Sequence, residues 1–385
     1  MVTMKKTTST LLGVAIFAVF LAGCISGNRD TNSILGEVDS SVEPPPIEVA
    51  VDQESGTETG EDLSDNDWEI DSPGNHGMDG ILLNELHNAL VETEIYSVVT
   101  VKDGYLVDEY YKDGYDENSI FRMHSCSKSF TGALIGIAID KGLIKSADTS
   151  IAEYFPQLAG TDKEEIAIRH LLSATSGIAW YEWGGNSSSW RPFVGSDNWV
   201  EYVLSQPMAY TPGTVFNYTT GGSHLLAAIL QESTGKSAYD FGTEHLFAPM
   251  GMDSVRWSAD PQGITDGGNG ISMSSRDAAK FGQLYLDGGK WRELQIIPEL
   301  WVEESVTTQI SRSGNSGSYG YQWWLRPFGD ENYDTYYAMG HAGQFVFVVP
   351  ELDLVTVITS RYPQDTYAPW PYFEDYILAA CRPTL

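Results

Sequence analysis

Positive charge is scarce in this sequence. Its 385 residues hold 22 Lys and Arg against 53 Asp and Glu, a formal net charge of −31. A surface that acidic repels nucleic acid and anionic lipid head groups, so no nucleic-acid partner is expected. Cysteine is nearly absent too: only Cys24, Cys126 and Cys381 occur, too few for a disulfide framework. There is no His-Glu-x-x-His and no Cys/His cluster at metal-ligand spacing, so neither a metal nor another cofactor is expected. Gly-x-Ser-x-Gly is also missing, and with it the signature of an α/β-hydrolase nucleophile.

The N-terminus reads as a targeting segment. Lys5 and Lys6 precede an apolar run from Leu11 to Leu21, too short for a membrane span. The run ends in Leu21-Ala22-Gly23-Cys24, which resembles the lipobox of prokaryotic lipoproteins. Residues 1–24 are therefore expected to be a signal peptide with Cys24 as lipidation site, the alternative being an ordinary signal peptide that happens to contain a cysteine. The partner this implies is a membrane, reached through a lipid anchor, with the folded part exported to the outer side. Residues 25–79 read as a disordered acidic tether. Between Asp30 and Asp71 there are 14 Asp and Glu and no Lys or Arg, with Pro44-Pro45-Pro46 inside. Such a segment buries too little apolar surface to offset the entropy of ordering.

The folded part is expected over 80–385. Leu82, Leu83, Leu86 and Leu90 have helical spacing over 81–91. Two strands, 97–102 and 105–110, flank Asp103-Gly104, a strong hairpin signal. An apolar helix runs from Ser125 to Lys141 and closes at Gly142; Cys126 inside it reads as a small core residue. Helices and Gly/Ser-rich loops alternate through about 148–310. Strands return at 321–325, 335–339, 345–349 and 354–359, and the last two are apolar on both faces, so helices should cover both. A final helix is expected over 373–380. The fold class is α+β: an antiparallel sheet sandwiched by helices, with an inserted, mostly helical subdomain.

The chemistry centres on Ser125-Cys126-Ser127-Lys128. On a helix, positions i and i+3 share a face, so hydroxyl and amine meet. A serine is a weak nucleophile until a base takes its proton. Burial lowers a lysine pKa by penalising the charged form, which makes the amine such a base. At a helix start, the Ser125 N–H would also be free to hold an oxyanion. A second Ser-x-x-Lys, Ser233 to Lys236, is interrupted by Gly235, where the helix ends, and reads as coincidence.

With its flanks, His124 to Thr131 running into Gly132-Ala133-Leu134-Ile135-Gly136, this segment resembles the nucleophile helix of the class C β-lactamase-like serine hydrolases. That superfamily includes β-lactamases, D-alanyl-D-alanine peptidases, esterases and 6-aminohexanoate-oligomer hydrolases. His170 to Gly177, and Pro212-Gly213-Thr214-Val215-Phe216-Asn217-Tyr218, resemble two further segments. The likeness spans nearly all of 80–385 and implies a β-lactamase/transpeptidase-like fold. It implies that Tyr218 shuttles the serine proton, with a phenol pKa lowered by the Lys128 cation. Where the family often has Tyr-x-Asn, this chain has Tyr218-Thr219-Thr220, which places Thr220 at a substrate-binding position without the amide. His341-Ala342-Gly343 resembles the third element, usually Lys-Thr-Gly or His-x-Gly. There His341 would bind substrate, Gly343 would admit its backbone, and the Gln344 N–H would join that of Ser125 as oxyanion hole. Ser196-Asp197-Asn198 matches a class A element but sits among turn residues, and no Lys-Thr-Gly accompanies it.

Trp180, Tyr181, Trp183, Trp190, Trp323 and Trp324 are candidates to wall a cleft, Trp180 and Tyr181 foremost for substrate binding. The expected activity is hydrolysis of a small-molecule ester or amide through an acyl-enzyme. The missing Asn and Lys tilt the substrate away from β-lactams. The alternatives are a penicillin-binding sensor or binder on the same fold with little turnover, and a purely structural surface lipoprotein.

Overall fold

The computed structural model describes residues 68–183, 188–312 and 317–382. The signal peptide, Cys24 and most of the tether lie outside the described residues. The folded part begins earlier than Gly80. Trp68 is buried edge-on against Trp291, and Ile70 bridges to Leu106. The acidic pattern conceals this anchor, because a single buried indole outweighs several solvated carboxylates around it.

Helix α1 (Gly80–Leu90) starts where Asp79 accepts the Ile81 and Leu82 N–H groups. Strands β1 (Ile95–Lys102) and β2 (Tyr105–Tyr111) form the expected hairpin. Asp103 (φ 54°) and Gly104 (φ 80°) both take the left-handed conformation that a tight two-residue turn requires. Helix α2 (Ser127–Asp140) is buried along nearly its whole length, which fits its all-round apolar sequence. Helix α3 (Thr220–Thr234) stops at Gly235 (φ 70°), where the sequence places its end. Helix α4 (Ser275–Leu286) follows.

The other strands of the main sheet are β3 (Ile310–Ser311), β4 (Ser318–Tyr319), β5 (Trp324–Phe328), β6 (Tyr333–Gly340), β7 (Gln344–Val349) and β8 (Leu354–Ser360). Together with β1 and β2 they form one antiparallel sheet in the order β2-β1-β8-β7-β6-β5-β4-β3. Alternate residues go to opposite cores. Val99, Val101, Val346, Val348, Val355 and Val357 join the core shared with α2, α3 and α4. Val98, Phe345, Phe347, Leu354 and Ile358 join the one under α1 and the C-terminal helical turns at 370–378. Helices therefore cover both faces of the sheet, as the two-sided apolar strands require. Gly282 lets α4 lie close on the sheet, since a Cβ there would sit 2.5 Å from Val355 Cγ1.

Candidate active site

Ser125 lies in a tight turn, His124–Cys126, just ahead of α2 rather than inside it. His124 takes φ 47°, a strained value for a side-chain-bearing residue, and the bonds around it hold the turn. Ser127 Oγ donates to His124 O (2.6 Å) and accepts from Ile271 N (3.0 Å), while Met123 N donates to Ile271 O (2.9 Å). Gly340, ending β6, packs on the same turn, where a Cβ would lie 2.2 Å from Met123 O.

The first turn of α2 carries Lys128 to the nucleophile. Its Nζ donates to Ser125 Oγ (3.1 Å), Thr220 Oγ1 (3.0 Å) and Gly268 O (2.6 Å). Burial brings this amine down from 10.5 to about 8, against the opposing pull of Glu182 and Asp266. Asp266 is buried, and desolvation raises its pKa even though it accepts the Gly268 and Asn269 N–H groups. Gly267 and Gly268 are wedged between α2 and α3: a Cβ on Gly268 would meet Thr220 Cγ2 at 2.6 Å.

Tyr218 enters from the segment before α3. Asn217 fixes that segment by donating its N–H to Ala174 O (2.8 Å) and its Nδ2 to Ile178 O (3.2 Å). The phenol ring is stacked between Trp183 (5.2 Å) and Trp324 (5.3 Å), and Lys128 Nζ stands 4.9 Å from its centroid. Ser125 also acts on the phenol, so hydroxyl, amine and ring gather around one point. The expected lowering of the phenol pKa is reversed. Burial raises it well above 10, with Tyr319 and Glu182 adding to the rise, and Ser125 only partly opposes them. Tyr218 keeps its proton at neutral pH.

On the opposite wall, β7 begins at Gln344. Its side chain is turned back on Ser360 O (2.5 Å) and His341 O (3.2 Å), which leaves the backbone as its contribution to the cleft. Cys126 Sγ donates to Gln344 O (3.7 Å), setting the strand start beside the nucleophile turn. The His341 ring meets His124 edge-on at 5.5 Å. Burial, with Arg122 and His341 nearby, brings His124 down to about 3, so it is neutral near pH 7. Gly343 takes φ 91°, which favours glycine. A Cβ there would lie 2.2 Å from Ser360 Oγ.

One aromatic expectation fails. Trp180 is 3% exposed and packs behind α3 on Gly221, Phe193 and Tyr202, because its large ring fills the space opened by glycine. Tyr181, 68% exposed, points to solvent, with its backbone bonded to Ser189. The rings at the site are Trp183 and Trp324 instead. Thr220 binds Lys128 and Glu182 rather than facing substrate as a free hydroxyl. Ser196 and Asn198 serve as turn and helix cap, and Lys236 pairs with Glu244, so neither competing motif joins the site. Glu182 and Gly268 had no legible signal beyond the glycine cluster at 267–270. Among the described residues no group of side chains has the makings of a metal site. Cys126 and Cys381 are both free thiols.

The profile of the family described as Beta-lactamase matches residues 89–373. The chain belongs to the Beta-lactamase family. Within it, the chain is 26% identical over 317 residues to 6-aminohexanoate-dimer hydrolase of Paenarthrobacter ureafaciens, covering 77% of this chain and 80% of that protein. The octameric penicillin-binding protein homologue of Pyrococcus abyssi superposes with a TM-score of 0.64 at 20% identity, over 80% of this chain and 78% of that one. A D-stereospecific amidohydrolase from Streptomyces sp. gives 0.62 at 17% identity, over 80% of this chain and all of that one (100%). At these identities the two structures speak for the β-lactamase/transpeptidase-like fold alone.

Proposed function

We propose that the protein hydrolyses a small ester or linear amide through an acyl-enzyme on Ser125. The observation that carries this reading is the buried Lys128 amine, 3.1 Å from Ser125 Oγ and titrating at about 8. Neutral Lys128 takes the Ser125 proton as Oγ attacks the carbonyl carbon. The Ser125 and Gln344 N–H groups hold the oxyanion. Tyr218, a phenol at working pH, gives its proton to the departing alcohol or amine and is reprotonated from the Lys128 ammonium. Water then attacks the ester of Ser125, Lys128 accepts the water proton and returns it to Ser125 Oγ as the acyl–oxygen bond breaks, and the acid leaves.

The name of the Paenarthrobacter relative favours linear ω-amino amides among the amide substrates. Thr220 in place of an amide side chain, and His341 in place of a lysine, weigh against β-lactams. A fluorophosphonate label and a penicillin label, run beside a panel of chromogenic esters and linear amides, test the reading. Turnover that disappears in Ser125→Ala supports it. Labelling without product would replace the hydrolase with a sensor, and no labelling would remove both.

We also propose export with lipid attached at Cys24, on the strength of the Leu21-Ala22-Gly23-Cys24 sequence. Metabolic labelling with a fatty-acid probe, lost in Cys24→Ala, is the expected result.

A further inference from the structure

Glu182 is the acid whose charge acts most strongly on Lys128, and it lies in no motif that suggested the site. One carboxylate oxygen accepts Thr220 N (2.9 Å) and the Trp180 indole N–H, and the other accepts the Thr220 hydroxyl. Thr220 opens α3, whose cap residue Thr219 makes no side-chain cap bond, so the carboxylate closes the helix from another segment. Capping accounts for the bond from Thr220 N. It does not account for the bond from Thr220 Oγ1, which joins the carboxylate to the base.

Hydrogen counting gives that second bond its meaning. A carboxylate only accepts, so the Thr220 hydroxyl proton points to Glu182 and its oxygen can only accept from Lys128. The Gly268 carbonyl likewise can only accept. As an ammonium, Lys128 donates to all three neighbours. As a neutral amine it has two N–H bonds, both committed to Thr220 Oγ1 and Gly268 O. The one lone pair is left facing Ser125 Oγ. We propose that Glu182 is a positioning residue that, through Thr220, aims the free electron pair of Lys128 at the nucleophile.

This rests on the hydrolase reading of Ser125 and Lys128. The groups facing the Lys128 amine are Glu182, Asp266 in the glycine loop, Cys126 and His124 in the nucleophile turn, and Tyr218. Of these, Glu182 and Asp266 are the carboxylates, and the field of Glu182 acts more strongly on the amine. Loss of its charge must therefore ease deprotonation of the base while spoiling its aim.

The test is the pH dependence of kcat/KM for p-nitrophenyl butyrate. In Glu182→Gln the acid limb moves to lower pH by about one unit, and the plateau falls by about ten-fold for one weakened charge-assisted bond. Thr220→Val keeps the backbone cap and Glu182 but removes the hydroxyl, and its plateau falls similarly. Thr220→Ser restores it. A helix cap alone would change the melting temperature of Glu182→Gln without moving the limb. An unmoved limb in Glu182→Gln, or a wild-type plateau in Thr220→Val, overturns the inference. Ser125→Ala is run in parallel. Turnover that survives in it overturns the underlying hydrolase reading instead, a separate and recognisable failure.

Discussion

The pH dependence of acylation follows directly from the burial of one amine. Lys128 sits inside α2 with three hydrogen-bond acceptors, and desolvation lowers its pKa from 10.5 to about 8. Only the neutral amine can take the Ser125 proton. Its fraction is about 1% at pH 6, about 10% at pH 7 and about 50% at pH 8. The kcat/KM for a neutral ester should therefore rise with unit slope from pH 6 and bend near 8, a gain of roughly 50-fold over that span. The alkaline side should stay level to about pH 10, because burial holds the Tyr218 phenol protonated. Initial rates on an uncharged chromogenic ester, corrected for spontaneous hydrolysis, measure both limbs. Lys128→Arg puts a permanent cation at the same place and should lose at least about 100-fold. An acid limb near 6.5 would refute the reasoning and point to an imidazole. His124 could not supply it, since it is held at about 3.

Three further outcomes follow from particular contacts. Tyr218→Phe should depress turnover of an amide far more than of a p-nitrophenyl ester, because a poor leaving group needs the phenol's proton and nitrophenolate does not; equal losses would remove the donor role. Gly340→Ala drives a Cβ to 2.2 Å from Met123 O, so it should cost about 1–3 kcal/mol in chemical denaturation and lower kcat by displacing the Ser125 turn. Lys128→Met tests the linkage between burial and stability. A lysine pKa depressed on folding contributes stability only above the unfolded value of 10.5, and this is lost as pH falls through about 8. At pH 7 its removal thus returns up to about 3 kcal/mol, while leaving Gly268 O without its donor costs about 1–3 kcal/mol. The variant should be inactive yet melt within a few degrees of the wild type, and a large fall in melting temperature would contradict that balance.

The part of the site built on one helix was legible in the sequence, because the period of an α-helix fixes which side chains meet. Ser125 and Lys128 needed only that rule, although the serine sits in the turn before α2. Tyr218 came from the resemblance of Pro212–Tyr218 to a segment of the family, yet its electrostatics were inverted. The sequence showed a neighbouring cation, whereas the desolvation imposed by Trp183, Trp324 and Tyr319 is a property of packing. Trp180 misled for the same reason, since its burial depends on Gly221 across a separate helix. Glu182 and the Gly268 carbonyl were invisible because each reaches Lys128 or its partner across long sequence separations.

In the sheet, the two-sided apolar strands β7 and β8 were plain. Strand β5 was placed about three residues early, and Pro327 within it was unexpected. It is tolerated because β4 pairs only with Trp324 and Leu325, leaving the rest of that side an edge. Tyr321 and Gln322 form a bend instead. Gln322 (φ 65°) ties it to Leu171, Leu172 and Ser223 with its side chain.

The claim that bears most weight is covalent attachment of the acyl group to Ser125. Mass spectrometry of protein quenched in acid during turnover of p-nitrophenyl butyrate measures it directly. The account predicts one added butyryl group, confined to the peptide containing Ser125 and absent from Ser125→Ala. Turnover without any such adduct, or an adduct on another residue, would contradict it.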